Sequence, residues 1–199
     1  MSARRVSALI LAGGRSSRFG RDKLAEPLDG CPMLDHAIEA VRSLATEILV
    51  VAAPDANPLL PEGATLVHDP VAFEGPLAGV LVGLGAARES IVLVVGGDMP
   101  TLVGAVIDSM LQALDALETP AIDAVVLEHD GRPRPLPIVL RRDSALVAAD
   151  RLFNTGERRL RALPEGLATA TIPEATWRTL DPEGRTLRDI DTTDDLPAR

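Results

Sequence analysis

Residues 11–23 read Leu-Ala-Gly-Gly-Arg-Ser-Ser-Arg-Phe-Gly-Arg-Asp-Lys. Glycines at 13, 14 and 20 let a backbone turn tightly and bring its N–H groups against a phosphate, while Arg15, Arg18, Arg21 and Lys23 supply positive charge. This is the design of a phosphate-binding loop. It is not a Walker loop, in which Gly-Lys-Ser/Thr ends the glycine run, nor a G-x-G-x-x-G dinucleotide fingerprint. Two glycines alone would read as a plain turn with solvated arginines. The chain, however, writes its 20 long cations as 19 Arg and 1 Lys, so the lone Lys23 marks a place where a compact, rotatable ammonium is wanted. Charge is uneven in the same direction. The formal net charge is −9, yet residues 1–25 carry six cations against Asp22, a local +5 that leaves −14 for the remainder. A small polyanion suits such a start, whereas broad binding to nucleic acid or an anionic membrane does not.

Such a loop needs a strand before it. Nearly continuous apolar runs at 6–12, 47–53, 65–68, 91–96 and 123–128 read as buried parallel strands. Segments 33–44, 76–88 and 102–117 between them have helical spacing, with Pro32 and Pro76 at first-turn positions. The alternation predicts an α/β fold: a Rossmann-like three-layer α/β/α domain over 1–199, with a mostly parallel sheet covered on both faces. Beyond it, 132–140 is expected to be extended because of its three prolines, with helical stretches near 144–152 and 157–163. In open α/β sheets a ligand lies beyond the carboxyl ends of the strands. The residues there are Leu11 and Ala12 at the end of the first run, Gly13 and Gly14 after it, Asp69 after the third and Asp98 after the fourth. Asp98 follows a strongly apolar run, where an unpaired carboxylate is costly without a cation, so it reads as a magnesium ligand; the alternative is a helix N-cap before Leu102. Asp69 reads equally as an Asp-Pro turn.

Composition narrows the classes further. At 199 residues, 46% hydrophobic and 25% charged, the chain has the balance of a folded globular protein. Aromatics are 2% with no Tyr, which argues against stacking platforms for bases. A single Cys31 forms no internal disulfide, and three scattered His make zinc unexpected. No apolar run approaches the ~20 residues that span a bilayer, and the start lacks the pattern of a signal peptide, so a cytoplasmic protein is expected.

The stretch 11–23 resembles the signature L-A-G-G-x-S-x-R-M-G-x-D-K of MobA-type nucleotidyltransferases, the molybdenum cofactor guanylyltransferases, with Phe19 in place of Met. Asp69 with Gly75-Pro76-Leu77-Ala78-Gly79 resembles the family's D-x(n)-G-P-L-A-G, and Gly97-Asp98-Met99-Pro100 its C-D-M-P. Gly156-Glu157-Arg158-Arg159 and residues 189–196 resemble its G-x-R and N-x-N-T-P-x-D-L segments. Two departures stand out: Gly97 replaces Cys, and Asp189 and Asp191 replace the Asn pair.

The resemblance implies a fold of the nucleotide-diphospho-sugar transferase type and transfer of GMP from GTP to the phosphate of molybdopterin, releasing pyrophosphate, with Mg2+ as cofactor. It implies nucleotide binding by Leu11, Ala12, Gly13, Gly14, Lys23, Asp69, Gly75 and Asp98, and catalysis by Lys23, Arg15 and Asp98. Metal would be held by Asp98 and Asp191, and the acceptor by Arg158 and Arg159. For the two C-terminal aspartates a solvated acidic turn, ahead of a short helix capped by Thr192 or Thr193, is the alternative. GTP and molybdopterin are then the expected partners, with other molybdenum cofactor proteins as further ones. Two rival functions remain open: a relative that uses CTP or another phosphorylated acceptor, and a nucleotide-binding regulatory module without turnover. The Gly75–Gly79 segment leans toward the guanylyl branch, and the presence of both Lys23 and Asp98 weighs against a module without turnover.

Overall fold

The computed structural model describes residues 5–13, 23–70, 75–116 and 121–189, with only the backbone of Lys23. The first apolar run forms β1 (Val6–Leu11). A two-residue hairpin follows, β2 (Pro27–Leu28) with β3 (Cys31–Pro32), and leads directly into α1 (Met33–Arg42). Next come β4 (Glu47–Ala52), β5 (Ala64–His68), α2 (Pro76–Ala86), β6 (Ile91–Gly96) and α3 (Gly104–Ala116). The second half contributes β7 (Ala124–His129), β8 (Arg132–Arg141), α4 (Arg142–Asn154), α5 (Ala162–Glu165), β9 (Thr169–Ile172) and α6 (Glu174–Trp177).

Seven strands share one sheet in the order β5-β4-β1-β6-β8-β7-β9. All run parallel except β8, which lies antiparallel between β6 and β7. The pleat sorts the side chains to two faces. Val6, Ala8 and Ile10 of β1 pack with Ile38 and Val41 of α1 and Ile107 and Met110 of α3. Leu9 packs on the other face with Leu77, Val80 and Leu84 of α2 and Ala145 and Ala149 of α4. The three-layer, mostly parallel α/β/α fold anticipated from the alternation is the fold observed.

One expectation fails. A helix over 157–163 is replaced by a loop, and only the single turn Ala162–Glu165 is helical. Gly156 (φ +89°) ends α4 with a turn of the opposite hand, and the Glu157 carboxylate then takes the N–H groups of Arg158 (2.8 Å) and Arg159 (2.9 Å), so this backbone bonds to a side chain rather than to itself.

Candidate active site

β1 is flanked by β4 on one side and β6 on the other, so the chain leaves it in opposite directions and opens a crevice at its carboxyl end. The backbone stitches that end together. Ala12 N–H donates to Val51 O (2.8 Å), Asp69 N–H to Ala52 O (2.8 Å) and Gly97 N–H to Leu11 O (3.0 Å). Leu11, Ala12, Gly13, Asp69 and Asp98 therefore stand on neighbouring strand ends, with Leu11 and Ala12 half-buried and Gly13 exposed. The segment after β4 is fixed too: Ala56 N–H donates to Ala53 O (3.1 Å) and His68 Nε2 donates to Ala56 O (3.0 Å).

Asp98 occupies the turn after β6, closed by Met99 N–H donating to Gly96 O (3.2 Å), while the Met99 side chain is buried in the core. Because α3 begins only at Gly104, the N-cap reading of Asp98 has no helix to cap. Gly97 allows a close approach: a Cβ there would lie 3.2 Å from Leu11 O and 3.1 Å from Leu24 Cδ1. The departure from Cys at this position thus goes with tight packing of the turn against the end of β1.

At the same end of the sheet, Gly75 precedes α2 with φ +96°, and a Cβ on it would meet Arg158 O at 2.8 Å. Leu77 N–H donates to that carbonyl (3.3 Å), so the loop 156–159 sits on the first turn of α2. The structure thereby joins Leu77 to Arg158, 81 residues apart in the sequence. Both arginines of the loop are engaged. Arg159 is clamped by Glu157 through Nε (2.9 Å) and Nη2 (2.6 Å), and Arg158 lies 3.9 Å over the Phe153 ring and donates to Phe153 O and Glu157 O. The Arg159 side chain, helped by the two backbone N–H groups, holds the Glu157 carboxyl well below the usual carboxylate range. Glu157 in turn raises the Arg159 guanidinium.

The C-terminal segment is led back to the same edge by Asp181. Burial would raise this carboxyl, but the N–H groups of Thr186 (2.7 Å) and Arg185 (3.0 Å) outweigh it and hold it below its ordinary value. Thr186 Oγ1 accepts from Val103 N–H (3.2 Å) and Thr101 Oγ1 donates to Arg185 O (2.8 Å), pinning residues 185–186 beside the Asp98 turn. Asp189 is the last described residue. Gly14, Arg15, Arg18, the Lys23 side chain and Asp191 lie outside the described residues.

Sequence reasoning did not anticipate His129, Asp130 and Glu174, whose potential ligand atoms lie within 4.8 Å of one another. Nothing in their spacing signals it, since β9 brings Glu174 beside β7 from 45 residues away. The group is an internal network rather than a vacant metal seat: Glu174 accepts from Asp130 N–H (2.9 Å), His129 Nδ1 (3.0 Å) and Arg178 (3.1 Å). Those donors, the Asp130 N–H foremost, keep its carboxyl below the usual range, and the Arg178 guanidinium would repel a cation.

Residues 8–170 match the model of the MobA-like NTP transferase domain. A probable molybdenum cofactor guanylyltransferase of Chloroflexus aggregans is 36% identical, over 96% of this chain and 91% of its own. One from Mycobacterium avium is 34% identical over 97% and 94%. Among solved structures, molybdopterin-guanine dinucleotide biosynthesis protein A of Archaeoglobus fulgidus superposes with a TM-score of 0.76 at 23% identity, covering 96% of this chain and 94% of that one. The 2-C-methyl-D-erythritol 4-phosphate cytidylyltransferase of Thermus thermophilus gives 0.70 at 19%, covering 94% of each.

Proposed function

This chain belongs to the MobA-like NTP transferase family, and from that premise we propose that it transfers GMP from GTP to the phosphate of molybdopterin, with release of pyrophosphate. The observation that carries the reading is the convergence of residues 11–13 and Asp98 on adjoining strand ends, tied by Gly97 N–H to Leu11 O. A triphosphate and a carboxylate-held cation can meet there.

In the proposed reaction an oxygen of the acceptor phosphate attacks the α-phosphorus of GTP. A new P–O bond forms, the bond from the α-phosphorus to the α,β-bridging oxygen breaks, and pyrophosphate leaves with that electron pair. Charge rather than covalent chemistry is the obstacle. The N–H groups of Gly13 and Gly14 hold the triphosphate, and Arg15 and Lys23 offset the charge that accumulates on the leaving group. Gly75 brings the first turn of α2 to the nucleotide, and Asp69 bounds its sugar side. The hard oxygen donors of Asp98 and Asp191 suit Mg2+, and the half-buried Asp98 in the turn tied to the end of β1 fits that group. When bound, Mg2+ would neutralise charge on the phosphates. Arg158 and Arg159, which the resemblance assigns to the acceptor, stand in the loop that the Arg158 carbonyl holds on the first turn of α2. The exposed free Cys31 suits a reducing cytoplasm, and among the described residues no helix is long and apolar enough to cross a membrane.

Guanine is read by hydrogen bonds rather than stacking. Residues 11–12 and the fixed segment 52–57 form the wall nearest the base, and an unmatched polar edge in such a pocket costs roughly 1–3 kcal/mol. Calorimetry with Mg2+ should show GTP binding at least about tenfold more tightly than CTP or ATP. Equal affinity for CTP, or a preference for it, overturns the guanylyl assignment.

A further inference from the structure

In the proposed reaction the loop after β1 takes the nucleotide on the β4-β1-β6 side of the crevice, which leaves the β6-β8-β7 side for the acceptor. A phosphate must arrive there beside a triphosphate, so that side needs its own cation. Arg159 and Arg158 are already held by Glu157 and Phe153, and Arg178 by Glu174. Arg134 differs from them. Among the described residues, its Nε and Asp35 Oδ1 are the buried side-chain polar atoms without a hydrogen-bond partner.

Its place in the sheet suits the task. Asp98 lies beyond the carboxyl end of β6, and Arg134 precedes Ile138, the β8 partner of Val94, across the bulge of residues 135–137. The two strands are antiparallel, so both residues reach the same end of the sheet on adjoining strands. The register between β7 and β8 breaks after Val126, and the chain resumes pairing with Arg134 opposite Leu127. This seats a half-buried arginine near the start of β8, toward the end of the sheet at which β6 finishes, with an Nε–H that the protein does not satisfy. A buried donor left unpaired is unfavourable unless something outside the chain completes it, and a planar guanidinium is shaped to take two oxygens of one phosphate.

We propose that Arg134 binds the phosphate of the acceptor and presents its oxygen to the α-phosphorus of the nucleotide. The assignment rests on the proposed GMP transfer and adds the group that receives the second substrate.

The test compares the wild-type chain with Arg134→Met and Arg134→Lys. Since the Nε has no partner, Arg134→Met should leave the melting temperature unchanged or raise it, while the KM for molybdopterin rises about tenfold or more and the KM for GTP stays within about twofold. Arg134→Lys, which keeps the charge but not the fork, should recover part of the loss. A side chain kept for structure would give the opposite pattern: a lower melting temperature and an unchanged molybdopterin KM, which overturns the proposal. A second measurement separates this proposal from the reading beneath it. Inorganic phosphate is titrated by calorimetry onto protein saturated with α,β-methylene-GTP and Mg2+. Weaker phosphate binding in Arg134→Met supports the anion site even if the wild type forms no product with molybdopterin, an outcome that would overturn only the acceptor's identity. Equal phosphate binding in wild type and Arg134→Met overturns the assignment of Arg134 in either case.

Discussion

The proposed reaction assigns its charge chemistry to two side chains, Lys23 and Asp98, and each assignment can be tested by substitution. Lys23→Ala should fold as the wild type does and lose turnover by a factor on the order of 10², the scale of one lost transition-state contact. Pyrophosphate release measured beside the melting temperature checks this, and normal turnover in the folded variant removes Lys23 from the mechanism. Asp98→Asn keeps the size of the side chain and removes its charge. Because Asp98 ends a strand turn six residues ahead of α3, it should lose Mg2+-dependent turnover with little change in melting temperature; a destabilised variant with normal turnover would make Asp98 structural. The glycines and the solitary lysine were legible because their types are uncommon at that spacing. Arg134 was not, since an arginine becomes notable only when its surroundings bury the Nε and offer it no acceptor.

The elements bring distant motifs to one edge. Gly75 and Arg158 read as unrelated segments, yet the first turn of α2 can form only where the Arg158 carbonyl leaves room. Gly75→Ala places a Cβ at a left-handed φ against that carbonyl, so it should destabilise by about 1–3 kcal/mol and weaken GTP binding together. Chemical denaturation and calorimetry test this jointly, and a variant of wild-type stability would show that the loop and helix move independently. The parallel strands were readable because burial on both faces writes them as continuous apolar runs. The extended character of β8 was readable from its prolines, but its insertion between β6 and β7 was not, because strand order is decided by pairing across the whole sheet. β9 has four residues and no distinctive pattern, and the local capping by Glu157 replaced a helix that spacing alone had favoured.

Over the whole molecule, three depressed carboxyls link stability to pH. Glu157 and Glu174 have an ordinary value of 4.5, Asp181 of 3.8, and all three are lower in the folded chain. A group whose folded pKa is lowered stabilises fully above its ordinary value and loses that contribution as pH falls through the folded one. The melting temperature should therefore drop as pH is taken below 4.5. Glu174→Gln should melt lower at neutral pH and show a shallower acid decline; an acid decline as steep as that of the wild type would remove Glu174 from this linkage.

The most direct measurement of the central claim is product identity. The protein is incubated with Mg2+, molybdenum-bound molybdopterin and each of the four nucleoside triphosphates in turn, pyrophosphate is quantified, and the product is identified by mass. GMP transfer predicts stoichiometric pyrophosphate and a pterin dinucleotide bearing GMP, formed from GTP in clear preference to the others. A CMP-bearing product, or no pyrophosphate with any of the four, would contradict it.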